Sequence, residues 1–205
     1  MRRTGRVVLG FHGCDASVAA AVIERGAEMV KSEKSYDWLG PGVYFWENDA
    51  LRAWEWAQDR CAADTAKSPA VVGALIDLGS CLDLTLRDSL SFLKIAYEDL
   101  ERDCEESGLP LPENKATRHA KEDDKLLRYL DCAVIRRAHT LWEKSGFTPF
   151  DTVRGLFQEG EPIYPGAKFM ERSHTQISVL NPDCIIEVFS PKELRHLRGE
   201  AACAK

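Results

Sequence analysis

An α+β domain built on a mixed or antiparallel sheet is what this sequence predicts, on three observations. Short apolar runs that read as strands occupy the front of the chain up to Leu84 and its back from Asp151 onward. Between them, about residues 85–144 read as helix, loop and helix. Strands and helices are thus segregated into blocks, unlike the strict alternation of a doubly wound parallel sheet. With 205 residues, 44% of them hydrophobic, the chain can bury one sizeable core, and a single domain over 1–205 with a mostly helical insertion at about 85–144 is expected.

The elements follow in order. Arg6 to Gly13 reads as a strand ending in a glycine turn. Asp15 or Ser17 caps a helix that carries helical spacing over Val18 to Arg25 and stops at Gly26. Lys31 to Leu39 is polar and irregular, and Gly40-Pro41-Gly42 turns into a second strand, Val43 to Trp46. Asn48 or Asp49 caps a helix reaching about Arg60. Ala70 to Leu78 is nearly unbroken apolar sequence, the pattern of a central strand covered on both faces, and Cys81 to Leu84 is a short one after it.

Within the insertion, Ser89 to Cys104 is expected to be helical, Glu105 to Ala120 a surface loop, and Glu122 to Trp142 a second helix whose stripe includes Leu126, Leu127, Leu130 and Val134. Asp151 to Phe157, Gln176 to Leu180 and Cys184 to Phe189 are the late strands. Ile163 to Arg172 reads as a loop and Pro191 to Arg198 as a short helix.

Composition narrows the classes of function. A net charge of −6 argues against a protein that wraps nucleic acid passively, although a local basic patch would still serve an enzyme acting on a strand end or a base. Seven scattered cysteines with no C-x-x-C pair predict neither a zinc knuckle nor a redox dithiol, and no metal is expected. The basic start MRRTGR lacks the long apolar run of a signal peptide, and no later segment is long and apolar enough to span a membrane. A cytoplasmic protein is therefore expected.

Polar residues at strand ends mark three candidate sites. His12-Gly13 pairs a hydrogen-bonding imidazole with a residue that lets a ligand approach the backbone. Gly42-Val43-Tyr44-Phe45-Trp46, followed by a helix with Trp54 and Trp56, supplies rings that either hold a flat ligand or form an aromatic core. Ser173-His174-Thr175-Gln176 heads an apolar strand, and Gln176 can donate and accept hydrogen bonds without titrating. Asp151 and Arg154 either pair with each other or meet a substrate. Arg136-Arg137 on the insertion is either a solvated face or a guide for phosphates. There is no G-x-G-x-x-G, no G-x-x-x-x-G-K-[ST], no G-x-S-x-G and no H-E-x-x-H.

Taken in order, His12-Gly13, Tyr44 within Gly42-Val43-Tyr44-Phe45, and Gln176 within Gln176-Ile177-Ser178-Val179 resemble the ADP-ribosyltransferase superfamily in its diphtheria-toxin-like, poly(ADP-ribose) polymerase-like branch. The resemblance covers about residues 6–57 and 151–189, and in overall texture small bacterial members, toxin and phage-defence proteins among them, are nearest. It implies a split mixed or antiparallel β core, NAD as substrate, and transfer of ADP-ribose to a macromolecular acceptor, protein or nucleic acid. It assigns catalytic roles to His12, Tyr44 and Gln176. Gly13 would meet the nicotinamide carboxamide, Tyr44 and Trp56 would sandwich the ring, and Phe45 and Trp54 stand beside them.

The family's third residue is a glutamate associated with chain extension, so Gln176 implies mono-ADP-ribosylation. Glu171 is a candidate replacement carboxylate from the loop, and His174 a candidate to orient or deprotonate the acceptor. A silent NAD-, ADP-ribose- or nucleic-acid-end-binding module, and a protein that binds a partner through the insertion, stay open as alternatives. So do an NAD glycohydrolase and an RNA 2′-phosphotransferase-like activity.

Overall fold

A computed structural model describes residues 5–116 and 125–191. Its centre is one seven-stranded sheet in the order β4-β5-β6-β2-β1-β3-β7. The strands are β1 (Val7–Asp15), β2 (Val43–Glu47), β3 (Pro69–Asp77), β4 (Cys81–Asp83), β5 (Thr152–Phe157), β6 (His174–Val179) and β7 (Ile185–Phe189). Only β4 and β5 run parallel, so the sheet is mixed and the α+β expectation holds at that level. No helix among the described residues is long and apolar enough to cross a membrane.

The helices cover both faces. Helix α1 (Ala16–Arg25) is capped by the Asp15 carboxylate and ends at Gly26 in the left-handed region. It lays Ala19 and Val22 against Ala70 and Val72 of β3. Helix α2 (Ala50–Cys61), capped by Asp49, packs Ala53 and Trp54 on the opposite face, against Phe11, Trp46 and Val71. On that same face, helices α3 (Arg87–Ser107) and α4 (Tyr129–Lys144) of the insertion bury Ala96, Val134, Ile135 and Ala138 against Leu82 of β4 and Val153 of β5. The insertion is therefore a second helical layer beside α2, and the strip of sheet between the two layers, β6 and β2, is left as the floor of a cleft.

Several boundaries differ from the sequence reading. Helix α3 continues through Ser107 into the expected loop. Helix α4 starts at Tyr129 rather than Glu122, because Leu127 pairs its backbone with Lys115 and Arg128 donates its N–H to the Tyr36 carbonyl. Leu126 and Leu127 thus precede the helix instead of joining its apolar stripe. Strand β6 begins at His174, two residues early, since His174 pairs with Phe157 of β5. Residues 117–124 of the insertion and the expected helix over Pro191–Arg198, from residue 192 on, lie outside the described residues.

β1 pairs with β3 along its whole length, from Val7↔Asp77 to Asp15↔Pro69. With β2 it shares only Gly10↔Glu47 and Phe11↔Trp46. Beyond Phe11 the two strands part, and His12 and Gly13 enter the gap. Gly13 also sits under α2: a Cβ there would lie 2.1 Å from the Ala53 carbonyl oxygen. That atom is helix backbone and cannot swing away. A Gly13→Ala variant is therefore expected to lose about 1–3 kcal/mol, the ordinary range for overpacking a tight interior. Urea denaturation measures this; unchanged stability would show that α2 does not press on β1 at this point.

Candidate functional site

The cleft between the two helical layers has a volume of about 720 Å³. Its floor follows from register. His174 and Gln176 of β6 and Tyr44 and Trp46 of β2 share one face, through the pairs Trp46↔Gln176 and Tyr44↔Ser178. His12 and Gly13 come from β1, Trp56 from α2, Arg128 from the start of α4, and Trp38 from the segment before β2. The cleft so brings together His12, Gly13, Tyr44, Trp56, His174 and Gln176 from three separate parts of the sequence.

The other predicted residues lie elsewhere. Phe45 alternates to the opposite face, fully buried against Ile76 and Ile177. Trp54 packs in the core under α2. Neither ring can stand against a ligand in the cleft. Arg154 also faces away: it bonds both Glu47 carboxylate oxygens, at 2.6 and 3.2 Å, and Asp83 at 3.2 Å. It does not pair with Asp151, which instead accepts from Ser80 N–H and the Asn181 amide. Glu171 is exposed beside Gly160 and does not line the cleft. Arg136 reaches the Glu33 carbonyl and Arg137 bonds Asp99 and Asp103 within the insertion.

Hydrogen bonds fix the state of each polar group. Nδ1 of His12 donates to the Tyr44 carbonyl at 2.8 Å, bridging the two strands where their ladder ends. A carbonyl only accepts, so Nδ1 carries the proton; burial holds the ring below the usual imidazole pKa, leaving Nε2 as a bare acceptor. His174 is arranged the same way. Its Nδ1 donates to the Arg172 carbonyl at 2.6 Å, burial depresses its pKa, and Nε2 is left without a partner. The Tyr44 hydroxyl donates to the Gly40 carbonyl and accepts from Leu39 N–H, and burial pushes its pKa far up, so the phenol stays neutral and its ring is what the cleft meets.

Gln176 is held by a residue that nothing in the local sequence flags. Trp38 Nε1 lies 2.6 Å from Gln176 Oε1. An indole N–H can only donate, so the amide oxygen points to Trp38 and the NH₂ group is what Gln176 can offer a ligand.

A second unforeseen group is Glu159, buried at the cleft wall beyond the end of β5. Its carboxylate accepts from Arg52 at 2.9 Å and from Arg172 at 3.0 Å. The Arg52–Glu159 pair is nearly sealed from solvent, and Arg52 also lies 3.7 Å from the Glu55 carboxylate at its more exposed side. Six basic and four acidic side chains line the cleft, a positive balance in a chain of net charge −6. Among the described residues, five buried side-chain nitrogens have no hydrogen-bond partner, and four belong to this cleft: Trp46 Nε1, Arg52 Nε, Arg128 Nε and His174 Nε2. Buried polar atoms are normally satisfied, so their concentration here sets the cleft apart from the rest of the described protein. No cluster of His, Cys, Asp or Glu among the described residues is placed to hold a metal, and none of the six described cysteines is in a disulfide.

Comparison of the chain with protein-family models, with curated proteins and with solved structures gives no match.

His12, His139 and His174 are all held neutral by burial. In the unfolded chain they titrate near the ordinary imidazole value of about 6.5. Below that pH the unfolded chain takes up more protons than the folded one, so stability must fall on acidification. Urea denaturation between about pH 7.5 and 5.5 is expected to show this loss, at up to roughly 1.4 kcal/mol per histidine per pH unit. His139→Gln, outside the cleft, should flatten the slope. Stability that is constant or rises as pH falls through this window would contradict the assigned states.

Proposed function

We propose that this protein cleaves the nicotinamide–ribose bond of NAD and transfers a single ADP-ribose to a macromolecular acceptor. The observation that carries the reading is the convergence, where β1 and β2 part, of His12, Gly13, Tyr44, Trp56 and Gln176 on one cleft. These are the residues on which the resemblance to the ADP-ribosyltransferase superfamily rests, in the same order along the chain.

Each residue then has a definite role. Tyr44 and Trp56 wall a flat ring, Tyr44 by its neutral phenol and Trp56 from a position 42% exposed on α2. His12 Nε2, the bare acceptor, takes a hydrogen bond from a ribose hydroxyl. When the C–N bond breaks, its electron pair leaves with neutral nicotinamide and the ribose ring carries positive charge. Neutral histidines and a neutral Gln176 put no cation against that ring. Gln176, its oxygen turned to Trp38, offers N–H donors to a ribose hydroxyl oxygen, and as an amide that does not titrate it cannot take a proton from that hydroxyl. That limits the enzyme to one transfer and disfavours building a chain on ADP-ribose.

One specific observation supports a second reading, a silent NAD-binding module: the position of the family glutamate holds an amide with its acceptor engaged. Nicotinamide release separates the two. Purified protein with NAD and separate pools of cellular protein, RNA and DNA should release nicotinamide in the presence of one pool. His12→Ala should lower that rate at least about 100-fold while the chain still folds cooperatively, at some cost in stability from the Tyr44 carbonyl left unanswered. Full activity in His12→Ala would sink the assignment. Saturable NAD binding with no release in any pool would establish the silent module.

A further inference from the structure

The NAD reading uses the β1, β2 and α2 side of the cleft and leaves the β5 side unused. There, Trp38 and Phe157 lie 4.8 Å apart between ring centroids, and Phe157 is 5.6 Å from His174. His174 continues to Trp46 at 6.3 Å, and Trp46 to Trp56 at 5.9 Å. These five rings form a continuous belt, and all of them line the cleft. Three guanidiniums lie over it: Arg128 at 4.9 Å from Phe157, Arg52 at 5.8 Å from Trp46 and Arg60 at 5.9 Å from Trp56.

Two of the cleft's unpartnered nitrogens flank Phe157. Arg128 Nε is a donor, and His174 Nε2, on a side chain 5% exposed, is an acceptor. Rings interleaved with guanidiniums are how single strands of nucleic acid are held, each base stacking while cations meet the phosphates. A base edge also presents the acceptor and donor that Arg128 Nε and His174 Nε2 require. An Asn or Gln side chain of a peptide also answers both, but it brings no ring to stack on the belt of Trp38 and Phe157.

We propose that the half of the cleft walled by Trp38, Phe157, Arg128 and His174 receives an unpaired base of a single-stranded nucleic acid, and that this base is the ADP-ribose acceptor. The proposal rests on the transferase reading and names its substrate class. Strand order supports the direction of attack. Gln176 on β6 lies between β2, which carries Tyr44 beside the leaving nicotinamide, and β5, which carries Phe157. A base on the β5 side approaches the ribose carbon from the face opposite the leaving group. A nitrogen lone pair of the base forms the new C–N bond as the bond to nicotinamide breaks. Nicotinamide departs with the bonding electrons, and the base N–H proton passes to His174 Nε2 and then to solvent. The helical insertion thereby acquires a part in binding, since it delivers Arg128, just ahead of α4, to the cleft wall.

The test measures two things on the intact protein. Fluorescence anisotropy of short labelled DNA and RNA oligonucleotides, single-stranded and duplex, reports binding without NAD. Radiolabelled NAD then reports label on the oligonucleotide and nicotinamide released. Binding that favours single strands at least about tenfold, with label transferred to them, is the expected result, and whichever of DNA or RNA is labelled names the source. Arg128→Gln and Phe157→Leu, each with its melting temperature checked, should weaken binding by about 5- to 100-fold, as loss of one stacking contact does. Nicotinamide release that follows a protein acceptor, with no oligonucleotide bound, would overturn this inference and leave the transferase reading intact. Oligonucleotide binding with no nicotinamide release in any pool would overturn the transferase reading, and the acceptor assignment with it.

Discussion

β1 and β2 are neighbours in the sheet yet share only two ladder positions, and the backbone groups freed beyond Phe11 must be answered some other way. The imidazole of His12 answers one of them by donating to the Tyr44 carbonyl. That single bond spans the opening, fixes the tautomer of His12, and holds Tyr44 at the edge of the gap. Gly13 is the next residue, and only a residue without a Cβ lets α2 settle on β1 there. The layering of helices follows: α2 covers β1 and β3, the insertion covers β4 and β5, and β2 and β6 are left as a floor. The site is a consequence of where the sheet is not zipped.

Electrostatics make the same region distinct from the rest of the surface. The chain is acidic, while the cleft carries more basic than acidic side chains and keeps one buried carboxylate, Glu159, fully engaged by Arg52 and Arg172. Glu159 therefore acts as an anchor for two cations and not as a proton acceptor. The neutral imidazoles of His12 and His174 provide the acceptors instead, and Trp38 turns Gln176 into a donor. Donors, acceptors and positive charge are thus assigned to different walls of one cavity.

Much of this is legible in the sequence, and what is not has a common cause. His12-Gly13, Tyr44 and His174-Gln176 are flagged by polar residues and glycines at the margins of apolar runs, and Trp56 follows a visible helix cap; the glycine turn expected at Gly13 is absent, because β1 stays paired with β3 as far as Asp15. The α+β order and nearly every strand are readable from apolar runs and glycine or proline stops. Phe45 and Trp54 depart from expectation because ring content cannot say which face a strand or helix turns inward; the register Phe45↔Ile177 decides it for the first. Trp38 sits in a polar, irregular stretch, Glu159 in Gln158-Glu159-Gly160-Glu161, and Arg128 in a charged segment. Each looks like surface until long-range pairing brings it under cover. Only Arg52 leaves a faint signal, a charge among Ala50, Ala53 and Trp54 on an otherwise buried helical face.

The central claim is that the gap between β1 and β2 is an NAD site, and a crystal structure of the protein with NAD, or with a non-hydrolysable analogue of it, tests this most directly. The account predicts the nicotinamide ring between Tyr44 and Trp56, with a ribose hydroxyl on His12 Nε2 and the Gln176 amide nitrogen facing the ribose. A dinucleotide bound away from these residues, or bound with His12 and Gln176 both out of contact, would contradict it.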